Sequence, residues 1–222
     1  MASDMPQDQA LEQLSALLQE RFPSFSADQC SRILSFYLLM RQENTVQNLT
    51  RLIEPLDFCD GHLVDVDFLL RSGVLRFPAM DLGSGGGVPG LLAAVISGGS
   101  WLLVDSEKRK AEFLSRAASR LGLSSVRTFG ERAESVLRSE RAEVVVARAV
   151  GTVSKICAWI ASCSTWNTLI LMKGPAWDEE WAEFQRSKWR KELRLRADLP
   201  YVVGPDQKKR RLIVLERVPR GT

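Results

Sequence analysis

Five glycines fall within ten residues in the stretch DLGSGGGVPG, Asp81 to Gly90, directly after the apolar lead-in RFPAM. So dense a run lets a ligand reach backbone that side chains would otherwise shield. Gly85, Gly87 and Gly90 satisfy G-x-G-x-x-G, the spacing that follows the first strand of a dinucleotide-binding βαβ unit. Twenty residues after Gly85, the apolar run WLLVD ends in Asp105, an acid placed to accept ribose hydroxyls. NAD and S-adenosylmethionine (AdoMet) both use such a crevice and such an acid, so Asp105 does not separate them. Two other residues do. A pyrophosphate rests on the first N–H groups of a helix, and Pro89 removes one of those donors. Asp81 adds a carboxylate beside the turn, and two like charges about 6 Å apart repel by roughly 2 to 3 kcal/mol at an effective dielectric near 20. AdoMet carries a sulfonium and an ammonium but no phosphate. The decade therefore favours AdoMet over NAD, with a ligand-free glycine loop as the remaining alternative.

Other chemistries find little support. His62 is the only histidine in 222 residues, which argues against a histidine-based metal site or catalytic triad. Cys30, Cys59, Cys157 and Cys163 are scattered without a C-x-x-C and read as core thiols; no metal is expected. No apolar run approaches the roughly 18 to 20 residues that span a bilayer. The amino terminus MASDMPQDQALEQL is acidic and polar where an export signal would be basic and then apolar. A cytoplasmic protein without membrane contact is expected. The formal charge is +3, but RSKWRKELRLR (186–196) and KKRR (208–211) concentrate positive charge near the carboxyl end, either as a phosphate-binding face or as a solvated helix or strand edge.

The elements that must position these residues fall into two regions. The first 77 residues read as mainly helical. Ser26 with Gln29 forms a capping-box pattern before Ile33, Leu34, Tyr37 and Leu38, predicting a helix over 27–43. Pro55 suits the first turn of another helix, which carries Leu56, Phe58, Leu63, Val66 and Leu70 toward a core. From residue 78, short apolar runs alternate with amphipathic ones. AMDL, WLLVD, SVRTF, AEVVVARA and TLILMKG read as strands; LLAAVIS, EKRKAEFLSRAASRLG, SKICAWIASC and WDEEWAEFQRSKW read as helices. Gly122 stops the second of these helices. Two β-rich stretches near 194–203 and 211–217 close the chain, predicting an antiparallel strand in an otherwise parallel α/β sheet with helices on both faces.

Along most of its length the chain resembles the bacterial small-subunit ribosomal RNA guanine-N7 methyltransferases, the RsmG or GidB family. The matching stretches are NLT (48–50) with Asn44 before it, GHLVD (61–65), DLGSGGGVPG, LLVDSEKRKAEFL (102–114), RAE (132–134), ARA (147–149), LMKG (171–174) and RRLIVLE (210–216). The glycine decade is the specific signal; the others gain weight from their order. The family often has tryptophan, arginine, proline and histidine where this chain has Glu43, Gly61, Gly86 and Arg211.

The resemblance implies a class I AdoMet-dependent methyltransferase fold, Rossmann-like and seven-stranded, at 78–222, with a helical extension at 1–77 packed on it and meeting RNA. It implies AdoMet contacts at Gly83, Ser84, Gly85, Val88, Asp105, Ser106, Ala133, Glu134 and Arg148. The reaction it implies is methylation of a guanine N7 in the 530 loop of 16S rRNA, free or in the small subunit; a monomer is expected. Guanine N7 has an in-plane lone pair and needs no general base. Arg148, His62 and Lys173 are positioning candidates. Asn48, Lys108, Arg109, Lys173, Lys208, Lys209, Arg210 and Arg211 are RNA-contact candidates. Simpler readings stay open: Asp105 as a cap of the next helix, Arg148 as a partner of Asp81, His62 as a structural residue, and the whole chain as a non-catalytic RNA-binding protein.

Overall fold

The structure, a computed structural model, describes residues 5–218, so the first four residues of the acidic amino-terminal stretch lie outside it. Its centre is a seven-stranded sheet: β1 (Ala79–Leu82), β2 (Trp101–Val104), β3 (Val126–Phe129), β4 (Ala142–Arg148), β5 (Trp166–Lys173), β6 (Leu193–Val203) and β7 (Lys208–Arg217). The spatial order is β3-β2-β1-β4-β5-β7-β6. The first five strands run parallel, and β7 runs antiparallel between β5 and β6. β1 has β2 on one side and β4 on the other. The strand order therefore reverses there, and the crevice beyond the carboxyl ends of β1 and β4 is the expected ligand position.

Successive strand residues point to opposite faces, and the core divides accordingly. Val144 and Val146 of β4 join the cluster under α1 (Gln7–Arg21), α2 (Ala27–Asn44), α5 (Gly90–Ser97) and α6 (Lys108–Arg120). Val145 and Ala147 join the cluster under α7 (Ala133–Ser139), α8 (Val153–Ile160) and α9 (Trp177–Arg186). The amino-terminal helices share one continuous core with α5 and the sheet. Ser26 and Gln29 form the expected capping box, and the Gln29 amide also donates to the Ile96 carbonyl of α5 at 2.8 Å, locking α2 onto it. Among the described residues, no helix is long and apolar enough to cross a membrane.

The helix beginning at Pro55 departs from its expected form. α3 (Pro55–Phe58) passes into a π turn over Cys59–Leu63 and then α4 (Val64–Arg71). Phe58, Leu63 and Val66 are buried as expected, but Leu56 is 45% exposed, on the outer side of the first turn. The wider π turn advances the helix by an extra residue, which an unbroken 3.6-residue period does not anticipate. The stretch carrying Ala133 and Glu134 also forms a helix, α7, too short to show a periodic pattern in the sequence.

Candidate functional site

The turn after β1 has the backbone that glycine permits. Gly83, Gly85 and Gly87 have φ of +73°, +52° and +91°, a region that costs other residues strain. A Cβ on Gly83 would also lie 2.7 Å from Val150 Cγ2. Gly90 serves differently: a Cβ there would sit 2.6 Å from both Asp81 Cβ and Leu103 Cδ2, so its absence lets α5 close onto the sheet.

Asp81 is fully buried, and its Oδ2 accepts the Gly90 backbone N–H at 2.8 Å. Burial pushes its pKa up to about 6, against the Gly90 hydrogen bond. The expectation that Asp81 presents its carboxylate beside the turn to an incoming ligand is corrected in its geometry. Its carboxylate occupies the start of α5 from inside the protein, where it takes the first N–H of the helix. Pro89 immediately precedes α5 and has no N–H to give. The helix start is thus spent on an internal anion rather than held open for a pyrophosphate.

Two cavities open beside this turn. The larger, about 300 Å³, is bounded by Gly83 and Gly85, Asp105 and Ser106 after β2, Ala133 and Glu134 at the start of α7, and Arg148 at the end of β4. Seven of the nine residues expected to meet the cofactor therefore gather around one space. The other two, Ser84 and Val88, line the smaller cavity of about 150 Å³. The Ser84 hydroxyl is committed within the protein, donating to Asp81 O (2.9 Å) and accepting from Val104 N (3.2 Å). Asp105 accepts Gly85 N on Oδ2 and Glu107 N on Oδ1, both at 2.9 Å. It fastens the glycine turn to the β2–α6 loop while lining the larger cavity. Trp159 of α8 and Lys110 of α6 complete the wall of the larger cavity. Lys110 lies within the matching stretch 102–114 but is not singled out there, and Trp159 lies inside a stretch that reads only as a core helix.

The smaller cavity is lined by Thr50, His62, Met40 and Leu49 from the amino-terminal region. It shares Gly83, Gly85, Arg148 and Ala149 with the larger one. Ala149 has φ +57°, a conformation few non-glycine residues adopt and one that concentrates at functional sites. Asn44 shapes the loop here, its buried Oδ1 accepting Leu49 N (2.8 Å) and Thr50 N (2.9 Å).

Arg148 is the hub. Its partner is Asp65 at 3.1 Å, correcting the alternative that it pairs with Asp81; the side chains are 18% and 6% exposed. Nη1 also donates to the Gly61 carbonyl of the π turn at 2.6 Å, and Nη2 lies 2.9 Å from His62 Nδ1. Asp65 Oδ1 in turn accepts from the Tyr201 hydroxyl of β6 at 2.8 Å. His62 is buried, and burial followed by the charge of Arg148 lowers its pKa to about 3. The imidazole is therefore neutral near pH 7.

The expected RNA contacts divide in two. Lys173 Nζ bonds Gly151 O (2.8 Å) and Glu180 (2.8 Å), with both partners of the ion pair mostly buried. Arg211 is held by Asp178 and Asp198. These two are already held by the protein's own carboxylates. Lys208 has Asp206 at 3.7 Å. Among the described residues, Lys108, Arg109, Lys209 and Arg210 pair with no carboxylate, and Asn48 is exposed. At two departures from the family pattern the space is already used. Glu43 pairs with Arg116 at 2.8 Å, and a Cβ on Gly61 would lie 2.4 Å from Leu52 Cδ1.

Comparison with known proteins bears on the family and the fold. The family model GidB, described as rRNA small subunit methyltransferase G, matches residues 29–203. A protein of Solibacter usitatus named ribosomal RNA small subunit methyltransferase G is 32% identical over 207 residues, covering 91% of this chain and 97% of the relative. One of the same name from Neisseria gonorrhoeae is 34% identical over 151 residues, covering 68% and 72%. In shape the chain is similar to a mutant of MtNAS in complex with S-adenosylmethionine, at 15% identity and TM-score 0.58 over 94% of this chain and 84% of that one. It is also similar to TrmN from Thermus thermophilus, at 15% identity and TM-score 0.51 over 83% and 53%. These likenesses bear out the Rossmann-like class I methyltransferase fold. The chain belongs to the GidB family, the rRNA small subunit methyltransferases G.

Proposed function

We propose that this protein transfers a methyl group from AdoMet to N7 of a guanine in small-subunit rRNA, the 530 loop being the target that its family resemblance implies. The observation that carries the reading is the junction of two cavities at Gly83, Gly85, Arg148 and Ala149. A cofactor in one space and a base in the other would meet there. AdoMet fits the larger cavity chemically: glycines without side chains line it, Asp105 and Glu134 face it, and the adjacent helix start is closed to phosphate. When bound, AdoMet supplies an electrophilic methyl on a sulfonium. Gly83 and Gly85 would admit its amino-acid portion, Asp105 would accept from ribose hydroxyls, and Ala133 would flank the adenine.

The protein's own contribution is positioning. N7 of guanine presents a lone pair without losing a proton, which agrees with a site whose one histidine is neutral and sequestered by Arg148. Holding the base in line about 3 to 3.5 Å from the methyl is what the walls must do. The Arg148 charge is already balanced by Asp65, so the positive charge that develops on the methylated ring meets no uncompensated cation. Lys108, Arg109, Lys209 and Arg210 would meet phosphates, which orient RNA without reading it. The amino-terminal 77 residues supply Thr50 and His62 to the base side and would form the RNA-contacting extension of the domain at 78–222.

The test is incubation with labelled AdoMet and small-subunit RNA or particles from cells lacking the modification. Incorporation into a guanine is expected. Binding of the RNA with neither incorporation nor an AdoMet-induced rise in melting temperature would favour the non-catalytic alternative.

A further inference from the structure

The smaller cavity contains a hydrogen-bond chain whose polarity is dictated from one end. A guanidinium keeps its protons in a protein and only donates. Arg148 Nη2 lies 2.9 Å from His62 Nδ1, so Nδ1 must accept. The Gly61 carbonyl, also 2.9 Å from Nδ1, already receives Arg148 Nη1 at 2.6 Å and needs no proton from the ring. A hydrogen on Nδ1, though within reach of that carbonyl, would set a ring donor against a guanidinium donor at 2.9 Å. The neutral ring therefore carries its hydrogen on Nε2. Nε2 lies 3.3 Å from Thr50 Oγ1 and donates to it. The same oxygen accepts the Leu52 backbone N–H at 3.0 Å. Both lone pairs of the hydroxyl are then engaged, and its hydrogen is left free. Thr50 lines the smaller cavity, where that hydrogen finds room.

We propose that Thr50 is a specificity-determining residue: its hydroxyl points into the smaller cavity as an obligate donor and reads an acceptor on the edge of the incoming base. Guanine presents O6 as an acceptor beside N7, whereas adenine presents its N6 amino group there. A donor locked in place accepts the first and leaves the second unpaired, a strong basis for discrimination. His62 is the positioning residue that transmits the polarity of Arg148 to Thr50. This inference rests on the smaller cavity being the base site.

Two experiments test it. Because His62 is the only histidine, nitrogen-15 NMR of the full-length protein reads its tautomer without ambiguity. A pyridine-type Nδ1 and pyrrole-type Nε2 are expected; a pyrrole-type Nδ1 overturns the relay. The second uses small-subunit particles rebuilt with ligated RNA in which 2-aminopurine, lacking O6 but keeping N7, replaces the target guanine. Wild type should lose roughly 5- to 30-fold in kcat/KM on that substrate, the value of one hydrogen bond. Thr50→Val should lose a similar factor on guanine and nothing further on 2-aminopurine, while Thr50→Ser keeps the wild-type preference. A wild-type preference in Thr50→Val removes this inference alone. No transfer by wild type to the guanine particle removes the proposed function and this inference with it.

Discussion

Replacing Arg148 with alanine strands the Asp65 carboxylate. Asp65 is 6% exposed and its ion-pair partner 18%, so neither charge can turn to bulk water without rearranging the π turn. Removing one member of a buried pair costs about 3 to 5 kcal/mol, because the remaining charge keeps its desolvation penalty and loses its compensation. For a domain of this size each kcal/mol moves the melting temperature by about 2 to 4 °C, so a fall of about 6 to 20 °C is expected for Arg148→Ala at pH 7.5. The orphaned charge, rather than lost packing, is the cause. Adding Asp65→Asn should therefore recover about half of the loss, because an amide oxygen still accepts from Tyr201 and carries no charge. Denaturant unfolding of the wild type, both single variants and the double variant closes the cycle. A loss below about 1 kcal/mol in Arg148→Ala, or a double variant no more stable than that single one, would refute the buried-pair reasoning.

Other expectations concern the turn and the basic surface. Gly90→Ala puts a methyl 2.6 Å from Asp81 and Leu103 side-chain carbons and should destabilise by about 2 kcal/mol or more in denaturant unfolding. Asp81 has a folded pKa raised to about 6 above an unfolded value near 3.9. Its contribution therefore improves as pH falls from about 6 to 4 and is unfavourable above 6. The stability difference between wild type and Asp81→Asn should shift toward wild type by about 2 to 3 kcal/mol between pH 7 and pH 4; a flat difference would contradict this. His62, lowered to about 3, acts in the opposite sense. The unfolded chain takes the proton first, so stability is lost as pH falls below about 6.5, by up to about 1.4 kcal/mol per unit, and His62→Gln should abolish that loss. Lys209→Ala and Arg210→Ala should each lower the salt dependence of RNA binding by about one phosphate contact. Lys173→Met should leave that slope unchanged while lowering the melting temperature, since its ammonium is held by Glu180 and Gly151.

The parallel sheet was legible because its strands are short apolar runs separated by amphipathic helices, a pattern set by local periodicity. The glycine turn was legible because positive φ and close approach leave few alternatives to glycine. What escaped was set by contacts distant in sequence. Asp81 reads as a free carboxylate, yet Gly90 lies folded back against it. Arg148 meets Asp65, 83 residues away, across the sheet end and the π turn, and no spacing announces that pairing. Lys173 and Arg211 look like the other basic residues until α9 and β6 bring Glu180, Asp178 and Asp198 against them. Thr50 was visible only as a letter of NLT; its place at the end of a polarised chain depends on His62, which the π turn turns inward.

The central claim is most directly tested by mass-spectrometric mapping of the methyl group that the purified protein transfers from isotopically labelled AdoMet to unmodified small-subunit RNA or particles. The account predicts a single 7-methylguanosine within the 530 loop. A label on an exocyclic amine, a ribose or a pyrimidine, or no label under conditions where AdoMet is shown to bind, would contradict it.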